Sequence, residues 1–315
     1  MPSDQKRLPP WIAATVPAEA GEKVATMRSL LSRGRLNSVC QSARCPNIAH
    51  CFSKGTVTFM ILGNICTRSC LFCAMSKGLP NEPDPEEPRH IAEAVRTLNL
   101  RHIVVTSVTR DDLNDGGAFH FSQVVQAIRS SNPKTTVELL IPDFCGSIHA
   151  LKMVTDSNPD IIGHNVETVP RIFKEIRCAA SFERSLHVIN QIKKLNRFIV
   201  TKSGFMVGLG ETDREVLEVL SMLKDVRCDI VTIGQYLRPS SAQVPVSEYI
   251  HPELFASYKT AAEKLGFKAV LAGPLVRSSF DASALFDKLP ASFGGAARRD
   301  ILKNTIKEMM YVHEL

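Results

Sequence analysis

Two groups of cysteines dominate the chemistry open to this sequence. Cys66, Cys70 and Cys73 form C-x3-C-x2-C, and Cys40, Cys45 and Cys51 form C-x4-C-x5-C. Six of the nine cysteines therefore share one short stretch, while Cys145, Cys178 and Cys228 are scattered. Clustered thiols more often hold metal or do redox chemistry; scattered ones are usually small core residues, the place expected for those three. Three thiolates in one tight loop can each bind one iron of a cubic 4Fe-4S cluster, leaving the fourth iron free to hold a small molecule. An open metal position marks a catalytic rather than a structural site. Zinc would want a fourth protein ligand, and no His or Cys follows the loop at finger-like spacing. The upstream trio also lacks a fourth cysteine, so its last corner is either open or filled by a distant residue. A serine hydroxyl, harder and more basic than thiolate, would be a weak corner. No ligand-pair spacing links the nine histidines, and His50 beside Cys51 reads as a bystander.

The elements that must position these thiols follow from the rest of the pattern. The C-x3-C-x2-C loop comes immediately after an apolar run, Thr56 to Leu62, and further short β-branched runs recur at residues 102–107, 136–141, 160–163, 198–207 and 229–234. Helical stretches are expected between them at 88–98, 119–130, 147–155, 182–195 and 213–223, with a last helix at 252–265 and a short run at 268–272. Alternation of this kind predicts an α/β fold of parallel strands and helical crossovers, and six units predict a partial (β/α)6 TIM-like barrel. Active sites of such barrels are built at the carboxyl ends of the strands. Candidates there are Thr106, Ser107, Asp143, Asn165 with Glu167, Lys202, and Gln235 with Arg238. Asp111, Asp112 and the Gly116-Gly117 pair are expected to shape a turn, and Arg238 either holds a carboxylate or punctuates the surface. Residues 79–88, LPNEPDPEEP, are too proline-rich for helix or central strand. The expected organisation is an extension at 1–55, a barrel at 56–272 and a second extension at 273–315 ending in a charged helical segment, 298–310.

Composition narrows the class. A chain of 315 residues, 44% hydrophobic and 22% charged, can bury a full core without disulfides, which excludes collagen, rods and disorder. No apolar run approaches the roughly 18–20 residues of a membrane span, and the first twenty residues lack the apolar stretch of a signal peptide, so a cytoplasmic location is expected. Net charge is +6 without a long basic block, which suits an acidic protein partner or anionic substrate as well as nucleic acid.

The stretch NICTRSCLFC, 64–73, resembles the signature loop of the radical S-adenosylmethionine superfamily, and residues 204–211, GFMVGLGE, resemble its adenine-packing G-x-I-x-G-x-x-E element. With C-x4-C-x5-C added, nearly all of residues 8–280 resembles the lipoyl synthase family. Supporting stretches are TSVTRDDLNDGGA, VELLIPDF, HNVETVPR, TIGQYLRPS and GPLVRSSF. The resemblance implies two 4Fe-4S clusters and S-adenosylmethionine as cofactors. It assigns one cluster to Cys66, Cys70 and Cys73, and an auxiliary cluster, carried by the terminal extensions, to Cys40, Cys45, Cys51 and Ser279, with Ser278 the alternative. Asn165 and Glu167 would meet the ribose and amino group of the nucleotide. Phe280 stands where the family commonly has tyrosine, which removes one hydroxyl but neither serine. The implied activity is insertion of two sulfurs at carbons 6 and 8 of a lysine-linked octanoyl chain, the auxiliary cluster being the sulfur donor. Implied partners are octanoylated carrier domains (E2 subunits of 2-oxoacid dehydrogenases, the glycine cleavage H protein), an electron donor such as flavodoxin or ferredoxin, and a cluster-repair carrier, with no nucleic acid or membrane. A radical enzyme of the biotin synthase type and a two-cluster electron-transfer protein remain the competing readings. The first leaves the upstream triplet unexplained, the second the barrel.

Overall fold

The β-branched runs form strands because their residues are apolar on both faces, the signature of a parallel sheet covered by helices. The structure, a computed structural model, describes residues 8–13, 20–177 and 179–289. An N-terminal layer comes first: α1 (Ala20–Arg33), the short strand β1 (Asn37–Ser38), α2 (Val39–Ser42) and α3 (Ile48–Ser53). After β2 (Thr58–Ile61) the chain makes a small two-stranded sheet, β3 (Ile65–Cys66) with β4 (Ser76–Lys77), and then α4 (Glu87–Thr97). The alternation continues with β5 (His102–Ser107), α5 (Ala118–Ser131), β6 (Thr136–Leu140), α6 (Ile148–Asp156), β7 (Ile161–Gly163), α7 (Pro170–Ile176), α8 (Phe182–Leu195), β8 (Val200–Val207), α9 (Asp213–Asp225), β9 (Ile230–Gln235) and α10 (Pro252–Lys264). Then come β10 (Ala269–Gly273) and α11 (Ala282–Phe286).

Strand order in the main sheet is β1-β2-β5-β6-β7-β8-β9-β10, parallel throughout except for antiparallel β1. Six strands, β2 and β5 to β9, are each followed by helix, which is the expected partial barrel; the run at 268–272 adds β10 as a further parallel strand. Helix starts obey local rules. Ser181 and Ser147 cap α8 and α6, and Thr212 with Glu215 forms a capping box on α9. The short α7 and the long α1 were not expected.

The barrel is filled from below. Ile161, Val200, Ile230 and Ala269 meet Leu285, Phe286 and Leu289 at its floor, each large buried side chain contributing about 1.5–3 kcal/mol. Above them Lys202 Nζ lies 2.6 Å from Glu138 Oε1, and His102 Nε2 lies 3.2 Å from Glu138 Oε2. Lys202, expected at the mouth, is therefore a buried filler of the interior, its ammonium paired with Glu138. No helix among the described residues is long and apolar enough to cross a membrane.

Candidate active site

The three-cysteine loop leaves β2 through Leu62 and Gly63, both at positive φ. Buried charges hold that exit. Leu62 N donates to Glu87 Oε2 at 2.9 Å, the same oxygen lies 2.7 Å from His120 Nε2, and Arg110 Nη1 donates to Leu62 O at 3.3 Å. Further on, Thr67 N donates to Thr109 O, Leu71 N to Ile176 O and Gln243 Nε2 to Cys73 O, so the segments after β5 and β9 and the end of α7 grip the loop. Cys66, Cys70 and Cys73 are free, half-buried thiols. Burial pushes the Cys70 thiol up to about 11; Arg177 opposes that shift, while Cys73, Glu167 and Cys66 add to it.

Glu167 and Asn165 stand beside this loop, beyond β7. Glu167 takes a positive φ of 65° so that its backbone continues the ladder on β8, Met206 N donating to its carbonyl at 2.7 Å. Burial raises its carboxyl, against the pull of Arg177 and a hydrogen bond from Asn165. Arg177 Nη1 donates to Asn165 O at 3.0 Å, which places a cation between the loop and the strand ends. Asn165 Nδ2 donates to Ser278 Oγ at 2.8 Å. At Gly204 a Cβ would press on Thr232 Oγ1, Ser278 Oγ and Asn165 Oδ1. The missing side chain leaves a cavity of about 140 Å³ between Asn165, Glu167, Gly204, Thr232 and Ser278. Glu211 does not face it; its carboxylate caps the turn by accepting from Gly208 N and Leu209 N. Gln235 likewise serves the loop beyond β9, donating to Glu248 O and accepting from Ile250 N.

The upstream triplet is positioned by the N-terminal layer. Pairing of Ser38 with Phe59 sets α2 against the sheet edge, and Cys40 is buried there. Arg44 at φ 51° turns the chain so that Cys45 N reaches Cys40 O, and Cys51 follows on α3. Asn47 Nδ2 donates to Leu275 O at 2.6 Å, tying this layer to the segment after β10. As a result Cys40, Cys45 and Cys51 share one small cavity with Thr58, Arg277 and Ser279. Burial, then the neighbouring Cys40 and Cys45, pushes the Cys51 thiol up to about 12. Ser278 and Ser279 thus part: the first turns to Asn165, the second lines the thiol cavity. Phe280 stacks on His50 at 6.1 Å, so that His50 packs on the ring.

Each trio consists of thiols alone, the soft donors that an iron–sulfur cluster takes, one to each of three irons. Buried thiols with raised pKa values also need positive charge to ionise, which bound iron supplies.

Other expectations need correction. Cys145 is exposed, not in the core; at φ 51° in the turn after β6 its thiol lies 3.4 Å from both Arg68 Nη2 and Asp111 Oδ1. Cys228 is buried, and Cys178 and residues 298–310 lie outside the described residues. Asp111 and Asp112 do more than shape a turn, because they pair with Arg68 and Arg110. Arg238 holds its own loop through Gln243 O and Ser241 O. Sequence reasoning missed Arg68, Arg177 and Arg277. Arg68 alone carried a signal, a charged residue inside the cysteine motif.

A partial barrel with three thiols on the loop after its first parallel strand defines a radical S-adenosylmethionine protein. The Radical SAM superfamily model matches residues 60–223. Solved structures agree on the fold: a maturase of the FeFe hydrogenase superposes with a TM-score of 0.53 at 12% identity over 89% of this chain and 61% of its own. Methylornithine synthase gives 0.51 at 15% identity over 80% and 78%. Among curated proteins, lipoyl synthase of Caldanaerobacter subterraneus subsp. tengcongensis is 52% identical, covering 88% of this chain and 96% of its own. That of Caldicellulosiruptor saccharolyticus is 54% identical over the same shares. The chain belongs to the lipoyl synthase family.

Proposed function

We propose that this enzyme inserts two sulfur atoms, at carbons 6 and 8, into an octanoyl chain carried on a lysine of a lipoyl domain. The observation that carries the reading is one cavity of about 410 Å³. Its lining joins Cys40, Cys45 and Ser279 of the upstream site to Asn165 and Ser278 of the barrel mouth, with Leu8, Val39, Leu237 and Tyr249 among its walls. A flexible alkyl chain entering there would lie between the upstream thiols and Asn165 at the barrel mouth. When bound, a cluster on Cys66, Cys70 and Cys73 with S-adenosylmethionine supplies a radical able to take hydrogen from an unactivated carbon, and a second cluster supplies sulfide. Those carbons have no acidic proton, so His or Glu catalysis cannot substitute.

This chain's residues do the rest. Asn165 and Glu167 orient the ribose and amino group, and Arg177, bonded to Asn165 O, offers a cation there for a carboxylate. Cys40, Cys45, Cys51 and Ser279 hold the sulfur source, so residues 1–55 and 273–315 act as its carrying extensions around the barrel at 56–272. Apolar walls keep water from the carbon radical. The acyl-bearing partner is an E2 subunit or H protein, with flavodoxin or ferredoxin as electron donor and a separate carrier rebuilding the spent cluster, all in the cytoplasm. Incubating anaerobically reconstituted, reduced protein with S-adenosylmethionine and an octanoylated carrier tests this. About eight irons per chain before turnover, falling as 5'-deoxyadenosine and the 6,8-dithiolated chain form, is the expected result; about four irons and no thiolated product overturn it.

A further inference from the structure

We infer that Arg68 is the positioning residue of the C-x3-C-x2-C loop, holding Cys66, Cys70 and Cys73 against the barrel before metal arrives. The inference deepens the reading above and relies on it only for what the loop carries. Arg68 lies inside the loop, 5% exposed. Its Nε and Nη2 donate to Asp111 at 2.6 and 2.8 Å, and its Nη1 and Nη2 donate to Asp143 at 3.0 and 2.7 Å. One guanidinium thus spans two carboxylates, from the segments after β5 and β6. Only a planar fork with five N–H groups can do this; a lysine ammonium would serve one side at a time. The same residue's backbone N donates to Cys66 Sγ at 3.5 Å. Beside it Thr67 Oγ1 donates to Thr109 O at 3.0 Å and accepts from Asp111 N at 3.1 Å. Apolar contacts would hold the loop down equally well. The ionic fork adds direction, fixing the rotation of the loop and hence where three thiols point. A thiol trio that must meet three corners of a cube has use for that.

The test begins with apoprotein. Timed iodoacetamide labelling, read by mass spectrometry, compares wild type with Arg68→Met, Arg68→Lys and Asp111→Asn. Cys66, Cys70 and Cys73 are expected to label on the order of tenfold faster in Arg68→Met as the loop opens locally. Arg68→Lys should fall between, and Cys40, Cys45 and Cys51 should be unchanged. Arg184 Nη1, 3.3 Å from Asp143, keeps that carboxylate paired in the variant. Asp111 is partly exposed, so Asp111→Asn decides the matter if Arg68→Met labels at all six thiols and has simply unfolded. In reconstituted protein, low-temperature EPR of the reduced cluster should lose or broaden its response to S-adenosylmethionine in Arg68→Met and recover it in part in Arg68→Lys. Labelling rates equal to wild type in both Arg68→Met and Asp111→Asn overturn the inference. A wild type that takes up no iron would instead sink the functional reading and leave the apoprotein result standing.

Discussion

Adjacent residues in the middle of a tight turn can serve two centres, because the chain changes direction between them, and Phe280 N donates to Arg277 O at 2.9 Å across such a turn. Ser278 and Ser279 do so: Asn165 takes the first, the thiol cavity the second. The choice between them as cluster ligand was open in the sequence and is argued by this geometry. If Ser279 holds the proposed auxiliary cluster, Ser279→Cys replaces a weak oxygen corner with a strong thiolate. The variant should keep its iron yet transfer sulfur several-fold more slowly; undiminished transfer of both sulfurs would end the labile-corner argument. His164 shows a different residue-scale effect. It is 1% exposed, its Nδ1 lies 2.9 Å from Ile141 O, and burial, then Arg177, lowers its pKa from 6.5 to about 4. The folded protein refuses a proton that the unfolded chain accepts. The stability due to neutral His164 is therefore complete above pH 6.5 and is lost as pH falls through about 4, a change of ~3 kcal/mol. In His164→Asn apoprotein, melting temperature should fall less between pH 6.5 and 4 than in wild type.

At the scale of elements, the strands were legible because a buried parallel strand is simply a β-branched run. The expected run at 102–107 is β5 to the residue. The N-terminal layer was not legible. β1 has two residues and no period to detect, and its role appears only when Asn37 and Ser38 pair with β2. Gly234 illustrates how one element admits another: Val276 O packs where a Cβ on β9 would sit. Gly234→Ala should push residues 276–279 outward and empty the upstream site, leaving about four of about eight irons after reconstitution. Gly21→Ala on α1, where nothing lies within 4 Å of the added carbon, should keep all of them and raise apoprotein stability by ~0.4–1 kcal/mol.

For the whole molecule, the +6 charge bears on how a protein-sized substrate arrives. Screening shortens from about 10 Å at 0.1 M salt to about 3 Å at 1 M, so kcat/KM for an acidic octanoylated carrier should fall steadily with ionic strength. The KM for S-adenosylmethionine, whose proposed site lies inside the barrel, should move little; parallel changes in both would argue against charge-guided docking. The sequence by itself determined the radical S-adenosylmethionine class, because a C-x3-C-x2-C loop directly after a strand marks that superfamily, and it determined the barrel, because alternating apolar runs have few other ways to be buried. Only the tertiary structure decided what surrounds that chemistry. It exposed Cys145, sank Lys202 beneath the mouth, set Arg68 between two carboxylates, and brought residue 279 to thiols more than two hundred positions away. Those outcomes depend on which strand ends become neighbours around a barrel, and no local pattern encodes that.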